Sequence, residues 1–207
     1  KAMQDLGYSH DTSTPHHSES NGVAERSVRR VKEGTAVTLT QSGLSEAWWP
    51  EAMTCYCFLR NAVDKLTEGK TTYEKRFGIS FPGPLIPMGA AIDYKPSSDK
   101  DDRRLHEYGQ SVLPGIFMGY SQQAGGGWNG DLLVLDQEDI SSASAPRDIY
   151  LRRIPAQQVN ILKNKTGFRF PLLTGELGQP HDTLEQRRRN PISHGHEDHD
   201  DDDDEEF

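Results

Sequence analysis

The sequence has few cysteines and no long apolar run, and both scarcities narrow what the protein can be. Its 207 residues include only two cysteines, Cys55 and Cys57. A spacing of two is poor for a disulfide, and there is no second cysteine pair for a zinc site, so we expect reduced thiols in an intracellular protein. No apolar stretch approaches the length of a bilayer span and no secretory signal is evident, so we expect no membrane partner.

Basic residues are missing from the C-terminal end, where the acidic ones collect. Residues 197–207 contain nine Asp and Glu side chains and neither Lys nor Arg. The formal net charge of −9 therefore belongs to this tail, and residues 1–196 are formally neutral. The overall acidity does not argue against nucleic-acid binding by the rest of the chain. We expect the tail to be disordered and leave open whether it masks a basic surface, binds a basic partner or only solubilises.

The first half of the chain predicts helices. From Asn21 onward, small and apolar residues recur at helical spacing, at Ala24, Val28, Val31 and Thr35. Gly34 predicts a bend or break in this helix, and Gly43 predicts its end. Ser45 is expected to cap a second helix, and the dense apolar content of residues 47–61 predicts that this helix is packed against another element.

The second half predicts short strands. We expect them at 89–95, 115–120, 132–136 and 148–151, separated by glycine-rich and polar turns, which favours a small barrel or sandwich. Its aromatic and basic side chains are consistent with DNA-backbone contact and equally with an ordinary charged surface. These residues are Tyr94, Lys95, Arg103, Arg104, Tyr120, Trp128, Arg147, Arg152 and Arg153.

The most specific feature is a polar loop that ends at Gly22 and is followed by a helix carrying Glu25 near its start. At helical spacing Arg29 and Lys32 follow Glu25 on one face. A site that cuts or joins phosphodiesters needs carboxylates for divalent metal and cations for the DNA backbone. The same residues also make an ordinary surface ion pair. Arg26 and Arg30 lie on other sides of the helix, where they either contact DNA or simply keep the helix surface solvated.

Four separated motifs resemble the copia-type family of LTR-retrotransposon integrases, in that family's order. The first joins Ser13-Thr14-Pro15 to Asn21-Gly22-Val23-Ala24-Glu25-Arg26. The others are the stretches at 43–52, 114–121 and 146–150, which contain Trp48-Trp49, Gly119-Tyr120 and Arg147-Asp148. The resemblance covers roughly residues 1–152.

The resemblance implies an α+β architecture in several parts. Residues 1–63 correspond to the C-terminal part of an RNase H-like catalytic core, and residues 64–86 to a linker. Residues 87–155 correspond to a small SH3-like β-barrel domain. Residues 156–207 are then a disordered tail, first basic and then acidic.

The resemblance also implies roles and partners. Glu25 is the catalytic and metal-binding glutamate of an Asp-Asp-Glu triad that holds Mg²⁺ or Mn²⁺. Arg29 and Lys32 line the groove for the DNA end, and Arg26 and Arg30 are further candidates for DNA binding. The intact protein carries out 3′ processing and strand transfer with retrotransposon ends, target DNA and other integrase subunits. It acts in the nucleus after a cytoplasmic particle stage.

One departure from the family limits this expectation. The two triad aspartates and a zinc-binding His/Cys module lie upstream in the family, and this chain has neither; Asp5 and Asp11 are too near Glu25 to replace them. Together with the start at Lys1, this predicts a fragment that is inactive on its own. The alternative is a non-catalytic remnant of a Pol polyprotein that binds DNA or protein, and a third possibility is a gene fragment without function.

Overall fold

The first half of the described chain is helical, as the spacing of its apolar residues predicts. The structure, a computed structural model, describes residues 22–96, 98–105, 108–165 and 167–180. Helix α1 spans Gly22–Ser42, and a single 3-10 turn covers Glu46–Trp48. Helix α2 follows at once over Trp49–Val63, and the short helix α3 covers Thr72–Phe77. The loop motif at 13–21 lies outside the described residues.

Gly34 within α1 and Gly43 directly after it have different structural roles. The predicted break at Gly34 does not occur, because α1 continues unbroken through it. A Cβ at Gly34 would lie 1.9 Å from the Tyr56 ring, so the glycine instead lets a side chain of α2 approach the backbone of α1. Gly43 ends the helix as predicted, with a left-handed φ of +72°.

Helix α2 joins α1 to the sheet. Its buried face carries Ala52, Cys55 and Phe58. The Phe58 ring stacks on the Tyr120 ring of the sheet at a centroid distance of 4.5 Å. The predicted packing of this apolar helix is confirmed, although Trp49 keeps 55% of its surface exposed.

The second half forms a five-stranded antiparallel sheet. The strands are β1 Ala91–Tyr94, β2 Leu113–Gln122, β3 Trp128–Asp136, β4 Arg152–Pro155 and β5 Val159–Ile161. Their order is β4-β3-β2-β1-β5, so the long strand β2 lies at the centre. In the register, Ile116 of β2 faces Ala91 on one side and Leu135 on the other. The mixed α+β class is therefore confirmed.

Short elements complete the described chain. Helix α4 covers Asp99–Asp102 before β2, and helix α5 covers Gln137–Ser142 after β3. After β5 come a small hairpin, β6 Lys163–Asn164 with β7 Gly167–Phe168, and helix α6 Pro171–Thr174. No helix in the part of the chain described here has both the length and the apolar content to cross a membrane.

The fourth predicted strand is misplaced. Residues 146–148 form a 3-10 turn instead, and the strand β4 starts only at Arg152. Pro146 explains this turn, because its ring sets φ for a turn and it has no N–H for a ladder bond. The other three predicted strands overlap β1, β2 and β3.

Part of the predicted tail is ordered. Strand β5 pairs with β1, with Ile161 opposite Ile92. Further on, the side-chain amide of Gln179 donates to the Gly43 carbonyl and accepts from the Ser45 N–H. Residues 156–165 and 167–180 therefore pack on the sheet and on the end of α1, which corrects the expectation of disorder from residue 156. Residues 181–207 lie outside the described residues.

The helices and the sheet share one hydrophobic core. Its members include Phe58 of α2, Ile86 of the connecting segment 64–86, and Phe117 and Val134 of the sheet. Ile86 is fully buried. The segment predicted as a linker thus contributes to the core, while the boundaries proposed from the sequence at residues 63, 86 and 155 stay a prediction.

The packing of α6 on α1 predicts a difference between two glycine substitutions. Gly43 and Gly69 both have left-handed φ values, but a Cβ at Gly43 would lie 2.3 Å from the Leu173 nitrogen, whereas one at Gly69 meets nothing within 4 Å. We expect Gly69→Ala to lower the free energy of unfolding by about 1 kcal/mol through backbone strain alone. Gly43→Ala should lower it by about 3 kcal/mol, because crowding adds to the strain.

Urea denaturation of the two variants measures this difference. Equal losses at the two positions would mean that α6 does not pack on Gly43 in solution.

Candidate nucleic-acid interface on the first helix

Glu25 lies in the first turn of α1 and is exposed to solvent. A carboxylate at this position is favoured locally, because the N-terminal end of a helix carries a partial positive charge. The helix forms here because Ala24, Glu25, Arg26 and Arg29 are all compatible with helical backbone and no proline interrupts it. The position is therefore accessible to a ligand and also has a simple structural explanation.

Glu25 shares one open helix face with two cations. This face is lined by Ala24, Glu25, Val28, Arg29, Lys32 and Glu33, all from α1. Because one helix supplies every residue, the face is a shallow surface, and two carboxylates on it oppose the two cations. The side of this face that carries Arg29 and Lys32 is suited to contact an extended polyanion. The face is too open to enclose a small substrate.

Arg30 belongs to a different surface. It is five residues after Glu25, which places it roughly 140° around the helix. There it lines a cleft with Arg60 and Lys65. Arg26 is exposed one turn before Arg30. The structure thus brings Glu25, Arg29 and Lys32 together and separates Arg30 from them, and the DNA-binding roles of all four cations stay predictions.

The described residues do not make up a divalent-metal site around Glu25. They contain no group of three or more His, Cys, Asp or Glu side chains placed to share a metal ion. Glu33, the second carboxylate of the face, is eight residues further along, or roughly 12 Å by helical rise. The role of Glu25 as a ligand of Mg²⁺ or Mn²⁺ therefore stays a prediction, and it requires further ligands from outside the described residues.

Two buried carboxylates, Asp136 and Asp101, lie in the second half of the chain, away from α1 in sequence. Asp136, fully buried at the end of β3, accepts hydrogen bonds from the Tyr94 hydroxyl at 2.6 Å and from two Arg104 nitrogens at 3.0 and 3.1 Å. It also caps α5 through the N–H groups of Glu138 and Asp139. Burial alone would raise the pKa of Asp136, but hydrogen bonds from Arg104 and Tyr94 outweigh it and hold the pKa below its ordinary value.

A second pair extends this polar network. Arg152 of β4 donates two hydrogen bonds of 3.2 Å to Asp101 and a further one to Asp139. Hydrogen bonds from Arg152 lower the pKa of Asp101 despite its burial. Every charge in the network is paired, so we interpret it as a structural support for the sheet and not as a catalytic centre.

The network reduces the number of side chains in the second half that could contact DNA, while the two interpretations that the sequence left open stay predictions. Arg104 and Arg152 are engaged with buried carboxylates, and Tyr94 and Tyr120 are themselves buried. None of the four is available to DNA. Lys95, Arg103, Arg147 and Arg153 remain exposed. The one sequence signal for the network was Asp136 directly after an apolar strand, a position typical of an N-cap.

The two cysteines form no site. Both are free, and burial raises the pKa of the Cys55 thiol to about 12. A thiol with such a pKa is unreactive at neutral pH.

Comparison with known proteins gives limited similarity. No protein-family model matches the chain. Similar proteins include the Retrovirus-related Pol polyproteins from transposons RE1 and RE2 of Arabidopsis thaliana. The first is 33% identical over 75 residues and the second 33% over 73 residues. The matches cover 36% and 35% of this chain but only 5% of either relative. The similarity supports a retrotransposon Pol origin.

The buried network predicts that one arginine matters far more than its neighbour. Arg104→Met removes two hydrogen bonds from the buried Asp136, and we expect the free energy of unfolding at pH 7 to fall by about 3 kcal/mol. Arg103→Met is the matched control, because Arg103 is exposed and adjacent in sequence. It should change stability by less than about 0.5 kcal/mol.

The pH dependence separates lost charge pairing from lost packing. In the wild type the pKa of Asp136 is lowered, so its stabilisation is complete above the ordinary carboxyl pKa and is lost as pH falls through the lowered value. In Arg104→Met the pKa of Asp136 rises. The stability gap should therefore be widest near neutral pH and narrow in acid, as measured by urea denaturation at several pH values. A gap independent of pH would contradict this account.

Proposed function

We propose that the chain is the C-terminal part of a copia-type retrotransposon integrase and that it contributes DNA contacts to DNA integration. The observation that carries this proposal is the exposed α1 face on which Glu25 is followed by Arg29 and Lys32. The similarity to retrotransposon Pol polyproteins supports it. In this proposal α1 is the helix that carries the third carboxylate of the catalytic triad.

The residues of this face divide the work. Arg29 and Lys32 hold phosphates of the DNA end, because cations that neutralise phosphates release counterions and so favour binding. Glu25 supplies one ligand of a Mg²⁺ or Mn²⁺ site in the intact protein. The metal, when bound, polarises the phosphodiester and activates the attacking oxygen. Since the described residues contribute a single ligand, the proposal does not assign strand transfer to this chain alone.

The fold supports the proposal in part. The last strand of the sheet returns to pair with the first, as expected for a small SH3-like barrel, and a 3-10 turn at Ala156–Gln158 separates β4 from β5. The helices α1 and α2 would be the end of an RNase H-like core. We propose retrotransposon ends, target DNA and other integrase subunits as partners, in the nucleus after a cytoplasmic particle stage.

A second candidate function is a non-catalytic DNA-binding or protein-interaction remnant of a Pol polyprotein. It is favoured by the incomplete ligand set around Glu25 in the described residues. On this view the cations of the chain keep a role in binding, and Glu25 has no metal to hold.

DNA binding by the purified chain tests the role of the α1 face. The double variant Arg29→Ala/Lys32→Ala should weaken binding to a DNA duplex and reduce the slope of log affinity against log salt by roughly 2. Lys163→Ala/Lys165→Ala is the charge-matched control, from the β6–β7 hairpin, where Lys165 is exposed and the Lys163 ammonium lies over the Phe168 ring. Unchanged binding in the double variant would remove the Glu25 face of α1 from the DNA interface.

The genomic reading frame upstream of Lys1 separates the two candidates. The integrase proposal expects two aspartates on apolar strand patterns there, because a divalent-metal site needs further carboxylates beside Glu25. Sequencing the surrounding locus checks this expectation. A long upstream frame without such aspartates would leave only the remnant.

A further inference from the structure

A basic cleft lies between α1 and the C-terminal end of α2, on another side of α1 from Glu25. Its volume is about 580 Å³. Arg30 of α1, Arg60 at the end of α2 and Lys65 of the following segment supply three cations to it. Asp64 is the one acidic residue in its lining. Nothing in the proposed role of the Glu25 face uses this cleft.

The charges of the cleft favour an anion. Arg60 pairs with Asp64 at 2.5 Å and donates to the Tyr56 hydroxyl at 3.2 Å, so it is held in place. Within the described chain, neither Arg30 nor Lys65 has an ion-pair partner. The carbonyl end of α2 adds about half a negative charge, so three cations and one carboxylate leave the cleft at roughly +1.5.

One further carboxylate lies within the electrostatic reach of Lys65. The pKa of Glu74 is lowered by hydrogen bonds from Ser80 and Thr71 and, more weakly, by Lys65 and Lys70. Because Lys70 balances this second acid, the surplus of positive charge at the cleft remains.

The cleft is also built to present hydrogen-bond donors. A tight turn is closed by hydrogen bonds from Leu66 N to Lys70 O and from Gly69 N to Leu66 O, both 2.8 Å, and by a bridge between Lys65 and Thr71. This turn holds Lys65 and Thr67 at the edge of the cleft. The exposed side chains of Asn61, Thr67 and Thr72 add amide and hydroxyl donors.

We propose that this cleft binds a phosphate group of a nucleic-acid backbone through Arg30, Lys65 and the neighbouring hydroxyl and amide donors. Cations combined with neutral donors are the usual composition of a backbone contact. The choice of nucleic acid as the source of the phosphate rests on the proposed DNA-binding function. The site itself does not depend on the Glu25 face.

Two single substitutions test the cleft against a matched control. Arg30→Ala and Lys65→Ala should each weaken binding of a short labelled DNA duplex by about fivefold at low salt, with a smaller salt dependence. Lys75→Ala should leave binding unchanged, because Lys75 lies in the nearby α3 and pairs with Glu68 at 3.6 Å. Wild-type affinity in both cleft variants would overturn the proposal.

A gain of affinity gives a test that misfolding cannot imitate. Asp64→Asn removes the carboxylate that opposes an anion, so binding of the same duplex should tighten by about threefold. Unchanged or weaker binding in a variant with the wild-type circular dichroism spectrum would count against the cleft.

Titration with inorganic phosphate distinguishes a cleft that binds free phosphate from one that binds a phosphate of a nucleic-acid backbone. Titrated into ¹⁵N-labelled protein, inorganic phosphate should shift the amide resonances of Asn61 and Thr67, and the DNA duplex should shift the same resonances. Shifts with phosphate but not with DNA would overturn the nucleic-acid source, and no shift with either would overturn the site. If Arg29→Ala/Lys32→Ala binds DNA normally and Lys65→Ala binds it weakly, the Glu25 face is excluded and the cleft is supported. If Lys65→Ala binds DNA normally and Arg29→Ala/Lys32→Ala binds it weakly, the cleft alone is excluded.

Discussion

The stacked rings of Phe58 and Tyr120 hold the helices on the sheet, and the positions of both candidate surfaces depend on them. The Tyr120 hydroxyl also donates to the Pro84 carbonyl at 2.8 Å and accepts from the Ile86 N–H at 3.0 Å. One side chain of β2 thus binds α2 and the connecting segment together. Such a stack contributes about 0.5–1.5 kcal/mol beyond its buried area. Helix α1 is positioned through α2, where the Tyr56 ring covers Gly34.

Within the described part of the chain, no element covers the beginning of α1. Residues 23–30 are exposed along the whole stretch, and only Thr35 and Ser42 of the helix are buried. The exposed part carries cations on two sides, with Arg29 toward Glu25 and Arg30 toward the cleft. In the second half of the chain, by contrast, Arg104 and Arg152 are paired with buried carboxylates. Of the cations singled out in the second half, Lys95, Arg103, Arg147 and Arg153 stay exposed.

How far the sequence predicts each element follows from the range of the contacts that form it. The bounds of α1 depend on spacing and on Gly43, which are local features, and the apolar runs of β1 to β3 are equally local. The role of Gly34 depends on Tyr56 of another helix, and the ordering of residues 167–180 depends on contacts such as Gln179 with Gly43. Such long-range contacts leave no periodic signal, so the sequence predicted a break in one case and disorder in the other.

By itself, the sequence determined that a first helix ends at Gly43, that a second apolar helix and then strands follow it, and that Glu25, Arg29 and Lys32 share a face, because helical periodicity places residues four and seven apart together. Only the tertiary structure decided which charged side chains are paired inside the protein and which remain exposed to a ligand. It paired Arg104 with Asp136 and Arg152 with Asp101, and it brought Arg30 beside Lys65, which lies 35 residues further along the chain. The reason is that burial and pairing of a charge depend on partners that only folding brings within hydrogen-bond distance.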